Sequence, residues 1–320
     1  MGQMRLNPLV GRWVTIATER ATRPDDFTRP LLPVEADPAR PCPFCPGQEE
    51  TPALETYGPE GHWTLRVVPN LYPAFEGQEP MLVENLGPVF RQAPASGIHE
   101  VLVLSPKHDA GFGDLDDDQI ELVMTAIRDR LETHSRVQGV RYSQAIVNHG
   151  REAGASLRHP HGQLLGIPFV PGEVAEEEAG FRRFQGSCVL CTTIEAEVAA
   201  GFRVVAENDH ALLVCPFWSG APFEMLALPK THEGHLRSAD PDSLVSVGLL
   251  LRDGIRRLFD RVGDLPYNLV VHTLPHHHDN AFHWHVHLVP RTSSAVGFEQ
   301  GTGVQINIVS PEDAAALLRT

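Results

Sequence analysis

Residues 100–108 read Glu-Val-Leu-Val-Leu-Ser-Pro-Lys-His, and residues 224–232 read Glu-Met-Leu-Ala-Leu-Pro-Lys-Thr-His. The shift in numbering that lays His108 on His232 also lays His159 on His283, His161 on His285, Gln163 on His287 and Asn148 on His272. The segments between them agree. Ile120, Val123, Ile127 and Leu131 recur at helical spacing from Asp116 onward, and the same shift reaches Leu244, Val247, Leu251 and Ile255. Asp116 and Ser238 are the expected N-caps. Agreement at so many independent positions marks an internal repeat. Further upstream, Cys42/Cys45 and Cys188/Cys191 stand further apart than that shift, so the first copy carries an insertion, placed in the polar, Pro/Gly-rich stretch 76–97.

Each copy reads Cys-x-x-Cys, strands, a strand ending in Lys and His, a helix, a strand, then a His-rich strand. This order predicts an α+β fold of two tandem repeats, with a mostly antiparallel sheet and packed helices. The halves are expected at 1–172 and 185–320, joined by an acidic linker at 173–184.

The first His-rich segment is His159-Pro-His-Gly-Gln163, after an extended run Arg141 to Asn148 and a glycine loop Gly150 to Ser156. On a strand, alternate side chains share a face, which puts His159, His161 and Gln163 side by side. Two imidazoles and an amide suit phosphate chemistry: a nitrogen nucleophile, a neighbour fixed by a metal, and a neutral donor. A His-rich surface turn is the competing reading in a chain with 17 histidines.

Composition narrows the class. The 320 residues are 42% hydrophobic and carry a net charge of −15 without a Lys/Arg cluster, so no nucleic-acid partner is expected. No apolar run is long enough to cross a membrane. No basic-then-apolar leader precedes Asn7-Pro8, and a cytoplasmic location is expected.

Four of the five cysteines form the two Cys-x-x-Cys pairs; Cys215 sits among apolar neighbours as a core thiol. Without a leader, such pairs read as metal ligands or redox motifs. Cys42 follows a Pro-rich stretch and Cys45 precedes Pro46-Gly47, a knuckle-like turn that favours zinc. Cys42, Cys45, His108 and His159 fill a tetrahedral shell with no open position, so this zinc is structural. The repeat supplies a second set: Cys188, Cys191, His232 and His283. His272, His285 and His287, with a carboxylate, form either a further divalent-metal site or a polar pocket. His276 to His278 reads as a polar loop without a role.

The chain resembles the galactose-1-phosphate uridylyltransferases and their relatives the ADP-glucose phosphorylases, in the histidine-triad superfamily. The resemblance runs nearly end to end: Asn7-Pro8 with Trp13; Arg20-Ala-Thr-Arg23-Pro24; Cys-Pro-Phe-Cys; Asn70 before Tyr72-Pro73; Ser105-Pro-Lys-His108; Asn148 with Gly154 and Ser156; His-Pro-His-Gly-Gln; Pro222-Phe-Glu; and Gly297-Phe-Glu299.

The resemblance implies two histidine-triad-like halves, with His161 as the nucleophile that takes the nucleotidyl group. It makes His159 a zinc ligand and Gln163 the residue holding the phosphate. Asn148, Gly154 and Ser156 become nucleotide and phosphate contacts, and Asn70 a ribose contact. Arg20, Arg23, Glu299 and Gln305 match positions that touch the hexose or its phosphate, partly across a dimer interface. Glu177, His272, His285 and His287 match a metal site of the uridylyltransferases, for Fe2+ or another divalent ion. Cys188, Cys191, His232 and His283 match the second zinc site of the phosphorylase branch.

Leu71 stands where the best-known uridylyltransferases have Asp, and Ser293 and Ser294 where they have Lys and Phe. The intact His-Pro-His-Gly-Gln and Gln305 favour hexose 1-phosphate transfer. The expected reaction moves UMP from UDP-glucose to galactose 1-phosphate by double displacement through a nucleotidyl-histidine. The alternatives are a nucleotide-sugar phosphorylase of the ADP-glucose type, a related transferase with another base or sugar, or a catalytically retired zinc-binding or nucleotide-binding module. A homodimer is expected.

Overall fold

A computed structural model describes residues 2–20, 41–59, 61–279, 281–292 and 297–320. Arg23, Ser293 and Ser294 lie outside the described residues. Near the N-terminus, β1 (Gln3–Leu6) and β2 (Trp13–Ile16) pair antiparallel. Next come β3 (Glu55–Tyr57), β4 (Leu65–Pro69), the small hairpin β5 (Glu84–Asn85) and β6 (Arg91–Gln92), and β7 (Ile98–Val103). Helix α1 (Asp117–Ser135) leads to β8 (Tyr142–His149) and β9 (His161–Ile167). Two helices follow, α2 (Gly172–Arg183) and α3 (Val189–Ala200). The second half repeats the order with β10 (Val204–Glu207), β11 (Ala211–Val214), β12 (Met225–Pro229), α4 (Pro241–Val262), β13 (Tyr267–His272) and β14 (His285–Pro290). The chain ends with α5 (Gly297–Thr302), β15 (Gln305–Asn307) and α6 (Pro311–Arg319), and β15 joins β2 in parallel.

Ten strands make one antiparallel sheet in the order β10-β11-β12-β14-β13-β8-β9-β7-β4-β3. Read from either edge, each five-strand block runs first, second, third, fifth, fourth. The blocks meet at β8 and β13, where Asn148 pairs with Asn268 and Val147 with Leu269. One continuous sheet thus joins the two halves.

Helices α1 and α4 cover one face. Ile120, Val123, Ile127 and Leu131 are buried, as are Leu244, Val247, Leu251 and Ile255, and all pack into a single core beneath the strands. Asp116 caps α1 by accepting from the Gln119 amide. The cap of α4 is Asp240, not Ser238: Pro241 takes the first helical position, where its fixed φ fits and its missing N–H costs nothing.

The other face is covered unevenly. In the second half, Leu212, Val214, Leu226 and Leu228 lie under Phe181, Leu190 and Ile194 of α2 and α3. In the first half, the partly buried hydrophobics that pack on Val68, Val101 and Val103 are, among the described residues, Phe44, Ala53 and Trp63. A cavity of about 520 Å³ opens there. The segment expected as a linker is helix α2, whose Val174, Glu177 and Phe181 are buried. The 76–97 insertion holds the β5–β6 hairpin, with Leu82, Leu86, Val89 and Phe90 exposed.

Candidate active site and metal centres

The β7–β9 register sets Val103 opposite His161, Val101 opposite Gln163 and His99 opposite Leu165. Facing residues of an antiparallel pair share a side, so these side chains point away from α1 and toward the cavity. His161 and Gln163 both line it, with Phe44, Asn70, Leu71, Tyr72, Arg66, Ser156 and Arg158.

His161 is buried, and its Nδ1 lies 2.8 Å from the carbonyl oxygen of His159. A carbonyl only accepts, so the proton sits on Nδ1 and Nε2 keeps its lone pair. Burial lowers the pKa of His161 below the ordinary imidazole range, which keeps the ring neutral near pH 7.

His159 precedes the strand rather than beginning it. Its Nε2 donates to the Ser105 carbonyl at 2.7 Å, and its Nδ1 lies 3.6 Å from Cys45 Sγ. His108 Nδ1 lies 3.3 Å from the same sulfur. Cys42 completes the group. Bond lengths of about 2.0–2.3 Å in a tetrahedron put zinc ligands about 3.3–3.8 Å apart, so this donor set fits the ion. Burial pushes the His159 ring down to about 4, leaving Nδ1 free to ligate.

The second Cys/His group has the same construction. His283 Nε2 donates to the Pro229 carbonyl at 2.9 Å, while its Nδ1 lies 3.7 Å from Cys188 and 3.5 Å from Cys191. His232 Nδ1 lies 3.5 Å from Cys191. Both carbonyl-anchored histidines thus turn Nδ1 toward two thiols.

A third group sits where the second half matches the His161 region. Glu177 reaches His272 Nδ1 at 2.9 Å, and His285 and His287 complete the set. His285 gives its Nδ1 proton to the His283 carbonyl at 2.9 Å, so its Nε2 turns inward unprotonated. The Nε2 atoms of His285 and His287 are buried without hydrogen-bond partners among the described residues. Orphaned acceptors beside a carboxylate fit a cation. Burial pushes the Glu177 carboxyl up, but His272 beside it overrides this and holds it well below the usual range.

The loop after β8 turns at Gly150 and Gly154, with φ of 81° and 92°, conformations that favour glycine. Asn148 lies next to the end of β8, just before this loop, and its Oδ1 accepts from Asn268 Nδ2 at 2.7 Å. Asn268 also donates to the Ala153 carbonyl at 2.8 Å. Ser156 reaches the cavity.

Not every expected residue gathers there. Glu299 and Gln305 line a separate cavity of about 580 Å³ with Trp13, Glu177, Glu224, His272 and His287. Arg20 is exposed at the end of the short turn Thr18–Arg20, outside both cavities. His276, expected in a loop without a role, is buried, with Nε2 2.8 Å from Ser143 Oγ. Two contributors escaped the sequence reading. Asn268 reaches Asn148 only through the β8–β13 pairing. His99 Nε2 lies 2.9 Å from Gln163 Oε1.

A family model described as galactose-1-phosphate uridyl transferase, N-terminal domain, matches residues 1–171, and a model for a domain of unknown function matches residues 106–318. The ADP-glucose phosphorylase of Arabidopsis thaliana is 33% identical, over 99% of this chain and 92% of its own length. The galactose-1-phosphate uridylyltransferase of Thermotoga maritima is 29% identical, over 100% of this chain and 98% of its own. The crystal structure of the Arabidopsis phosphorylase with bound ADP-glucose superposes with a TM-score of 0.85 at 31% identity, covering 100% of this chain and 98% of that one. A solved uridylyltransferase gives a TM-score of 0.77 at 26% identity, covering 100% of this chain and 97% of that one.

Proposed function

The chain belongs to the galactose-1-phosphate uridyl transferase family, and on that premise we propose that it moves UMP from UDP-glucose to galactose 1-phosphate through a nucleotidyl-histidine at His161. The observation that carries this reading is the fixed tautomer of His161, whose unprotonated Nε2 belongs to a ring lining the 520 Å³ cavity.

In the first step Nε2 attacks the α-phosphorus. The bond from that phosphorus to the bridging oxygen breaks, and glucose 1-phosphate leaves with the electron pair. In the second, a phosphate oxygen of galactose 1-phosphate attacks, the N–P bond breaks, and His161 returns to its starting state. Gln163 holds the phosphate and has no proton to give as a general acid. Phosphate leaving groups need none, whereas amine leaving groups do. Asn148, Gly154 and Ser156 serve the phosphate and nucleotide, and Asn70 the ribose.

Cys42, Cys45, His108 and His159 would hold a zinc ion with a full shell, which would supply structure. Cys188, Cys191, His232 and His283 would hold a second. Glu177, His272, His285 and His287 would hold Fe2+ or another divalent ion. If Glu299 and Gln305 touch the hexose, a second copy of the chain brings them, since within one chain they line the other cavity. The working unit is then a homodimer in the cytoplasm.

A second reading, phosphorolysis of ADP-glucose, is favoured by the 33% identity to the Arabidopsis phosphorylase and by the assembled second Cys/His group. Incubation with UDP-glucose and galactose 1-phosphate, against ADP-glucose and inorganic phosphate, decides between them. UDP-galactose should form in the first mixture. Glucose 1-phosphate and ADP from the second alone would reverse the order.

A further inference from the structure

His99 has both ring nitrogens engaged. Its Nδ1 lies 3.0 Å from the backbone nitrogen of Ala74. A backbone amide only donates, so Nδ1 carries the lone pair and the proton of the neutral ring sits on Nε2. That Nε2 lies 2.9 Å from Gln163 Oε1 and 3.0 Å from Asn70 Nδ2.

Two amides are oriented as a result. An N–H finds an acceptor only in the oxygen of Gln163, so Oε1 turns to His99 and the NH2 group remains for a ligand. Asn70 is set by its own turn, where Oδ1 accepts from the Tyr72 amide at 2.9 Å. Its NH2 therefore meets a ring nitrogen that already bears hydrogen and gains no acceptor from His99. Both Gln163 and Asn70 line the cavity beside His161. An amide free to rotate offers a ligand its oxygen as readily as its nitrogen. Here both are held with NH2 available, a donor pair matched to the acceptor oxygens of phosphate and ribose.

We propose that His99 is a positioning residue, which fixes the Gln163 amide as a donor to the nucleotide's phosphate and leaves the Asn70 amide as a second donor beside it. This rests on the nucleotidyl-transfer reading of the cavity. His99 acts through Gln163 and touches no reacting atom.

The test is a substitution series in the full-length, metal-loaded protein. His99→Gln keeps one donor and one acceptor on a single side chain. His99→Glu keeps only acceptors and would turn Gln163 around, so that its oxygen faces the phosphate. His99→Phe keeps a ring and removes both groups. Binding of UDP and of ADP is measured by calorimetry, and covalent nucleotide uptake by rapid quench with UDP-glucose and ADP-glucose.

The expected order is wild type and His99→Gln close together, with His99→Glu and His99→Phe weaker by about 10- to 100-fold, the scale of a hydrogen bond to a charged group. In a Gln163→Ala background the difference between His99→Gln and His99→Glu should vanish. Equal diphosphate affinity in the Gln and Glu variants overturns the proposal. So does a loss that persists undiminished without Gln163, since that is a structural effect. If His99→Phe does not fold, the Gln/Glu pair decides alone. A wild-type chain that binds diphosphate but takes up no nucleotide sinks the transfer reading, while the affinity series still judges His99.

Discussion

The carbonyl oxygen of His159 accepts a hydrogen bond from Nδ1 of His161 at 2.8 Å, while the ring of His159 faces Cys45. One residue thus anchors the metal group with its side chain and fixes the nucleophile with its backbone. Metal loss should therefore reach the chemistry. Cys42→Ser should lower thermal stability and slow nucleotide uptake by about 10- to 100-fold, the usual effect of disturbing groups that orient a metal site. A zinc-depleted chain that stays folded and takes up nucleotide at the full rate would contradict this coupling.

The metal content should divide by cluster. Cys42→Ser and Cys188→Ser should each remove one equivalent of zinc, read by plasma mass spectrometry of the purified protein. His287→Ala should remove a further divalent ion and leave His161 labelling intact, because the histidines of its group sit on β13 and β14, with β8 between them and the His161 strand β9. Unchanged stoichiometry in any of the three would count against that centre.

Acid should weaken the fold through Glu100. Burial pushes its carboxyl up, but His134 and Arg130 override this and hold its pKa below the carboxylate range. A lowered folded pKa means the unfolded chain takes the proton first as pH falls. The contribution is complete above the unfolded value of about 4.3 and is lost as pH drops through the folded one. Glu100→Gln should cost about 1–3 kcal/mol at neutral pH, the scale of a buried hydrogen bond to charge. Urea titrations should show that gap closing in acid. A gap of constant size from neutral pH into acid would refute the assignment.

The homodimer reading predicts complementation. His161→Gly and Gln305→Ala should each be slow alone. After the subunits exchange, a mixed dimer holds one site with both residues intact, and activity should exceed that of either parent. Mixtures no faster than the parents would place both residues on one chain's site.

Much of this was legible in the sequence because it is local or repeated. The apolar stripes of α1 and α4 are fixed by helical period, and every residue named for them is buried. The two Cys/His groups follow from a repeated spacing. What the sequence could not give depends on distant pairing. Nothing near Asn268 in the chain announces Asn148; only the β8–β13 register brings them together. His99 looks like one more strand residue until β9 is laid beside it. Helix α2 was hidden because Glu177 interrupts its apolar stripe, an acid buried there against His272. The α4 cap falls at Asp240 because Pro241 takes the first helical position, a local signal that outweighs the repeat's alignment on Ser238.

The central claim is that His161 carries the nucleotide. The direct measurement is mass spectrometric mapping of the quenched, acid-sparing digest after brief incubation with UDP-glucose or ADP-glucose, in the absence of any acceptor. The account predicts a nucleotidyl group on His161 and none in His161→Gly. Nucleotide on any other residue, or turnover by a folded His161→Gly chain at the wild-type rate, would contradict it.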